Sequence, residues 1–253
     1  MRKRILNQPI DIISMDDAAH LTRMSLIHPR QFKIITLNPE MVVNAAKDFE
    51  FQAAINNAQL IVPDGTGIVW ASKLLNPECT NGLKRIPGIE LAENILQSAN
   101  ELGKSVAIYG GTKEVLEKAT TNLQMKYPKV QLVKAVHGYQ ENEASVAREI
   151  AHENPSVVLV ALGTPKQEIW INKYSSLFPR SIMIGIGGSL DVWSGKKQRA
   201  PGWVRDNHVE WLFRVISEPQ RIPRVLRALP KFVWMVLKKK LEAKSSPQTK
   251  QVF

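Results

Sequence analysis

The chain has 253 residues, 44% of them hydrophobic and 23% charged, which is enough for a sizeable core in one large or two small domains. A single cysteine, Cys79, excludes a disulfide framework, and five histidines without ligand spacing argue against a zinc site. The net charge of +11 is uneven: residues 1–195 hold 20 Lys and Arg against 19 Asp and Glu, whereas residues 196–253 hold 14 against 4.

Met1-Arg2-Lys3-Arg4 opens like a signal peptide, but Asn7, Gln8 and Asp11 interrupt any apolar stretch behind it. Continuous branched runs then recur at 32–37, 60–62, 106–109, 130–136, 157–162 and 182–186. Their lack of alternation suits strands buried on both faces, hence a largely parallel sheet. Helical patterns at 89–102, 114–127, 143–152 and 167–177 separate them. This alternation predicts a doubly wound, Rossmann-like α/β domain over residues 1–195. After Gly188 only helical patterns follow, so residues 196–253 read as a basic helical appendage with a disordered polar end, roughly 242–251. The longest strongly apolar runs, such as 232–237, are too short to span a bilayer, which leads us to expect a cytoplasmic protein.

Five loops after the predicted strands are small or polar: 36–40, 63–67, 109–112, 162–167 and 185–188. In open α/β sheets ligands bind beyond the carboxyl ends of the strands, so these loops outline a phosphate-friendly cleft. Capping gives plainer readings. Asn38-Pro39 fits an N-cap followed by proline, Thr164 to Gln167 fits a capping box, and Asp64 fits an N-cap. The readings coexist, because a capped helix N-terminus is itself an anion site. Gly110-Gly111 is not the G-x-G-x-x-G fingerprint of nicotinamide enzymes, and the chain has no Walker loop and no G-x-S-x-G elbow.

The stretches TLNPEMV (36–42), PDGTGIVWA (63–71), RIPGIEL (85–91), LGTPKQEIW (162–170) and the block 185–221, which begins GIGGSLD, stand in a telling order. Together they resemble the WecG/TagA/CpsF glycosyltransferases of bacterial surface-polysaccharide synthesis, over about residues 5–230. The resemblance implies an inverting, metal-independent enzyme with no cofactor. It would move an N-acetylhexosamine, N-acetylmannosamine in the best-understood members, from a UDP-sugar donor to polyprenyl-diphosphate-linked N-acetylglucosamine. By motif, Asp64 is the general base, and Thr36, Asn38, Arg85 and Gln167 line the substrate cleft. Arg214, Arg221 and Arg224 match the basic positions of the family's tail. On the donor side we expect Gly110, Gly111, Thr112, Gly163 and Lys166, with Asp191 accepting from uracil or ribose or else stabilising its turn.

The chemistry fits these residue types. A base must take the acceptor hydroxyl's proton, and Ile61, Val62 and Trp70 are placed to desolvate Asp64 partially. With no D-x-D pair to hold a metal, arginines and helix N-termini must meet the diphosphate charge, and the planar fork of Arg suits phosphate better than Lys.

The tail reads as membrane-seeking on its own. At helical spacing, Ile222, Val225, Leu226, Leu229, Phe232, Val233 and Val236 form one arc, and Arg221, Arg224, Arg227 and Lys231 an opposing one. Lys238-Lys239-Lys240 closes the run, and Pro223 and Pro230 suggest a kink or two shorter helices. Such a segment suits an anionic cytoplasmic membrane surface, or a helix packed on the body with a solvated charged face. A nucleic-acid-binding α/β protein is the alternative, with Trp203, Trp211 and Trp234 as stacking groups, but it leaves the five strand-end loops without a role. We therefore expect no nucleic-acid partner, and a homo-oligomer stays open.

Overall fold

The computed structural model describes residues 1–80, 82–206, 213, 215, 217 and 222–245. Two strands, β1 (Arg2–Ile5) and β2 (Gln8–Asp11), form an antiparallel hairpin that the sequence reading did not anticipate. Arg2 closes it on Asp11 at 2.8 Å, and Asp11 also accepts the Ile61 N–H at 2.8 Å, which fastens the hairpin to the main sheet.

The main sheet has six parallel strands: β3 (Phe32–Leu37), β4 (Leu60–Pro63), β5 (Ser105–Gly110), β6 (Gln131–Val136), β7 (Val157–Ala161) and β8 (Ile182–Gly185). Their order across the sheet is β4-β3-β8-β7-β5-β6. The predicted doubly wound α/β fold is the observed one. Alternate residues serve opposite faces, as a period of two requires. Ile34, Val62, Ile108, Leu159 and Ile184 enter one core, while Ile35, Ile61, Ala107, Val158 and Met183 enter the cores of the other face. Only β6, at an edge, is partly exposed throughout.

Helices α1 (Met15–Ile27), α5 (Gly88–Glu101), α6 (Lys113–Lys126) and α9 (Ser189–Trp193) cover the first face. Helices α2 (Pro39–Ala45), α3 (Phe49–Asn56), α4 (Thr66–Leu75), α7 (Glu143–His152) and α8 (Lys166–Tyr174) cover the second. A short α10 (Gly202–Asp206) precedes a long C-terminal helix, Ile222–Ser245.

That helix corrects two expectations. It is one continuous helix rather than two shorter ones. Pro223 lies in the first turn, where no donor is needed, and Pro230 deprives only the Leu226 carbonyl, on a residue 66% exposed to water. It also runs on to Ser245, into the stretch expected to be disordered, with Lys238 and Lys239 each 3.9 Å from Glu242 across its last turns. The rest of that polar end lies outside the described residues. The apolar arc is divided as well. Phe232 and Val236 are buried against Leu37, Met41 and Ile68, whereas Ile222 and Leu226 are exposed.

Candidate active site

In open α/β sheets ligands bind beyond the carboxyl ends of the strands. The ends of β3, β4, β7 and β8 surround a cavity of about 330 Å³, to which the 85–89 segment, Val215 and Val225 also contribute. Thr36, Asn38, Asp64, Arg85, Gly163 and Gln167 all line it, six of the residues singled out in the sequence.

Each is held by local chemistry. Asn38 caps α2, its Oδ1 accepting the Met41 N–H at 3.0 Å, with Pro39 at the first helical position as anticipated. Asp64 does not cap the helix that follows it. Gly65, at φ +111°, takes the N-cap position of α4 with no side-chain bond, a conformation that only glycine adopts without strain. Asp64 is thereby turned across the cleft, where its Oδ2 accepts the Gly88 N–H at 3.3 Å at the start of α5. The acid at the end of a buried strand is presented to the cavity and to a second helix N-terminus.

The capping box expected from Thr164 to Gln167 is not formed. Thr164 donates to Glu168 at 3.3 Å, and the Gln167 amide is fixed at both ends. Its Oε1 accepts the Gly187 N–H at 3.1 Å, and its Nε2 donates to Glu168 Oε1 at 2.7 Å. A Cβ at Gly185 would lie 2.4 Å from Gln167 Nε2, so the β8 end must be glycine for this amide to seat.

Glu168 is the group the sequence reading passed over. It is 3% exposed, its Oε2 has no hydrogen-bond partner among the described residues, and burial pushes its carboxyl up to about 7 against the bonds from Gln167, its own backbone and Thr164. The available signal was its spacing, because Glu168 shares a helical face with Ile171 and points inward.

The donor-side expectations fare differently. Gly163 lines the cavity, but among the described residues Gly110, Gly111, Thr112, Lys166 and Asp191 do not. A Cβ on Gly110 would sit 2.3 Å from the Ala161 oxygen, and one on Gly111 2.6 Å from Leu190 Cδ2. Close packing accounts for both glycines. Thr112 caps α6 through Val115 N–H at 3.3 Å, Lys166 is exposed, and Asp191 pairs with Lys197 at 2.8 Å. Arg214 and Arg221 lie outside the described residues, as does the side chain of Arg224. Trp70 is 40% exposed and lines a second, apolar cavity of about 420 Å³ between α4 and the C-terminal helix. The segment leading out of the sheet is tied down by Arg199, ion-paired with Glu90, and by Trp193, which donates to Glu93 at 3.1 Å. Among the described residues no group of three His, Cys, Asp or Glu side chains could hold a metal ion.

A six-stranded parallel sheet with a crevice at its strand ends, floored by an acid and flanked by an arginine, defines a Rossmann-like protein. The model of the glycosyl transferase WecG/TagA/CpsF family matches residues 3–246, and the chain belongs to that family. Relatives named N-acetylglucosaminyldiphosphoundecaprenol N-acetyl-beta-D-mannosaminyltransferase include one from Bacillus subtilis, 37% identical over 84% of this chain and 81% of that protein. One from Bacillus spizizenii is 33% identical over 100% of this chain and 97% of its own. A third, from Staphylococcus aureus, is 38% identical over 84% and 82%.

Proposed function

We propose that the protein is an inverting glycosyltransferase that moves N-acetylmannosamine from UDP to the 4-hydroxyl of N-acetylglucosamine on a polyprenyl diphosphate. The observation that carries this is that Asp64 and Arg85 line one cleft, in a chain 33–38% identical to transferases whose names state that acceptor and a β-linked product. Asp64 takes the acceptor proton as the new C1–O bond forms on the face opposite the breaking C1–O–UDP bond. Arg85 binds diphosphate through its planar fork, together with the tail residues Arg214, Arg221 and Arg224. Gly163 and Gln167 hold the donor side, with the fixed Gln167 amide as a preorganised polar wall.

The C-terminal helix brings this site to the membrane. No described helix is long and apolar enough to cross one, but Trp234, Leu237 and Leu241 are exposed at 60%, 47% and 66% beside Lys238 and Lys239. Such a face suits an anionic interface.

Release of UDP from a panel of UDP-sugars, with a short-chain prenyl-diphosphate N-acetylglucosamine as acceptor, tests the reading. Turnover with UDP-N-acetylmannosamine alone supports it, and no turnover with any donor defeats it. The same turnover should survive EDTA. Loss in chelator that Mg²⁺ restores would disprove metal independence.

A further inference from the structure

The two cavities meet. The polar cleft of about 330 Å³ and the apolar one of about 420 Å³ share Asn38, Pro39, Glu40, Gly65, Arg85 and Val225. Among the described residues, the two charged side chains that line the apolar groove, Glu40 and Arg85, also line the cleft. Away from that junction the groove is walled by Trp70 on α4 and by Leu229, Phe232 and Val233 on the C-terminal helix.

We propose that this groove holds the first three isoprene units of the polyprenyl diphosphate acceptor, with the diphosphate at Arg85 where groove and cleft join. The inference rests on the acceptor class proposed above.

Three observations choose this occupant. A sugar would find few polar partners along the groove, whereas an amphiphile with a charged head and an apolar tail matches its gradient from Arg85 to Val233. The apolar lining also continues. Val225, Leu229, Val233, Leu237 and Leu241 stand four residues apart on one ridge, which winds about 40° round the helix at each step; the first three line the groove, and the last two are exposed beyond it at 47% and 66%. A chain leaving the groove therefore has an apolar path towards a bilayer. Size sets the number of units. A cavity of roughly 150 Å³ holds benzene's six carbons, so one of about 420 Å³ takes about three five-carbon units.

The test uses N-acetylglucosamine diphosphates carrying one to five isoprene units, below their micelle concentrations and without vesicles. Binding to the full-length protein is measured by calorimetry, and glycosylation is followed separately. The dissociation constant should fall at least tenfold from one unit to three and change less than twofold from three to five. A flat series overturns the groove, and so does one that keeps falling to five units, as simple hydrophobic partitioning would. If the series plateaus at three but no compound is glycosylated, the proposed activity fails while the groove stands. Leu229→Trp, whose indole would fill the groove, should move the plateau to one or two units. A plateau still at three in that variant also overturns the assignment. Should the variant not fold, the wild-type series decides alone.

Discussion

The cleft has a floor and a roof, and they are built differently. Its floor, the strand ends, is fixed by hydrogen bonds at named atoms: Asn38 to Met41, Asp64 to Gly88, Gln167 to Gly187 and Glu168. Its roof, the C-terminal helix, is held chiefly by apolar contact through Ala228, Phe232 and Val236. Directional bonds position atoms to a fraction of an ångström, whereas apolar burial is non-directional and tolerates sliding. On the proposed function, chemistry therefore belongs to the floor, and binding of the greasy acceptor belongs to the roof.

The largest expected effect tests the floor. Asp64→Asn keeps the size of the side chain and an oxygen that can accept from Gly88, but removes the proposed base. Its kcat should fall by roughly 10²–10⁴-fold with the donor's Kd little changed, as read by UDP release and calorimetry. A kcat near that of the wild type would reduce Asp64 to a bond acceptor for α5 and remove the chemical half of the comparison.

Next comes the roof. Phe232 is 1% exposed, and Phe232→Ala should cost about 3–5 kcal/mol of local packing. If floor and roof are separable, hydrogen exchange in the C-terminal helix should speed up by about 100-fold or more while β7 and β8 amides hold their rates. Equal acceleration in both would make them one cooperative unit.

Glu168 offers a pH handle on the floor. Below its ordinary value of 4.5 the carboxyl is protonated folded or unfolded, so burial costs nothing. As pH rises towards about 7, the unfolded chain ionises and the folded one does not, and wild-type stability falls. Glu168→Gln has no charge to bury. Its stability relative to wild type should rise by roughly 3 kcal/mol between pH 4.5 and 8, whatever its constant offset, in urea unfolding at each pH. A flat difference would mean that Glu168 is ionised in the folded protein.

Much of the floor was legible in the sequence because strand ends announce themselves. Buried parallel strands are continuous apolar runs, and the residue that ends each run must face the crevice. The loops that carry Thr36, Asn38, Asp64, Gly163 and Gln167 were outlined that way, and the family motifs picked the residues within them. Gly110-Gly111 shows the limit. A glycine marks close approach but not what approaches, and here it is Ala161 and Leu190 rather than a ligand. Glu168 was missed because an acid early in a helix ordinarily faces water or the dipole. Its burial depends on Thr164 and Gln167 turning inward, which no local pattern encodes. The hairpin of β1 and β2 was missed because its strands are four residues each and take their stability from an edge far away in sequence.

The smallest expected effect separates neighbouring charges on the roof. Lys238, Lys239 and Lys240 look alike in sequence but are used differently. Lys240 donates to the Leu74 carbonyl at 2.7 Å, in the last turn of α4, where a cation meets the negative end of the helix dipole. Lys238 lies over the Trp234 ring at 5.2 Å, and Lys239, 57% exposed, is 3.9 Å from Glu242. A lysine near an anionic leaflet contributes about 1 kcal/mol, an effect that fades within a Debye length. Lys239→Gln should therefore weaken binding to anionic vesicles about fivefold at low salt, with the difference from wild type shrinking as salt rises. Lys240→Gln should change vesicle affinity less than about twofold and instead cost up to about 1 kcal/mol of stability, since its partner is α4. Vesicle cosedimentation and urea unfolding of the two variants read both quantities. Equal loss of vesicle binding in both would mean that the membrane draws Lys240 away from Leu74, and with it that this end of the roof lifts from α4 when the protein docks.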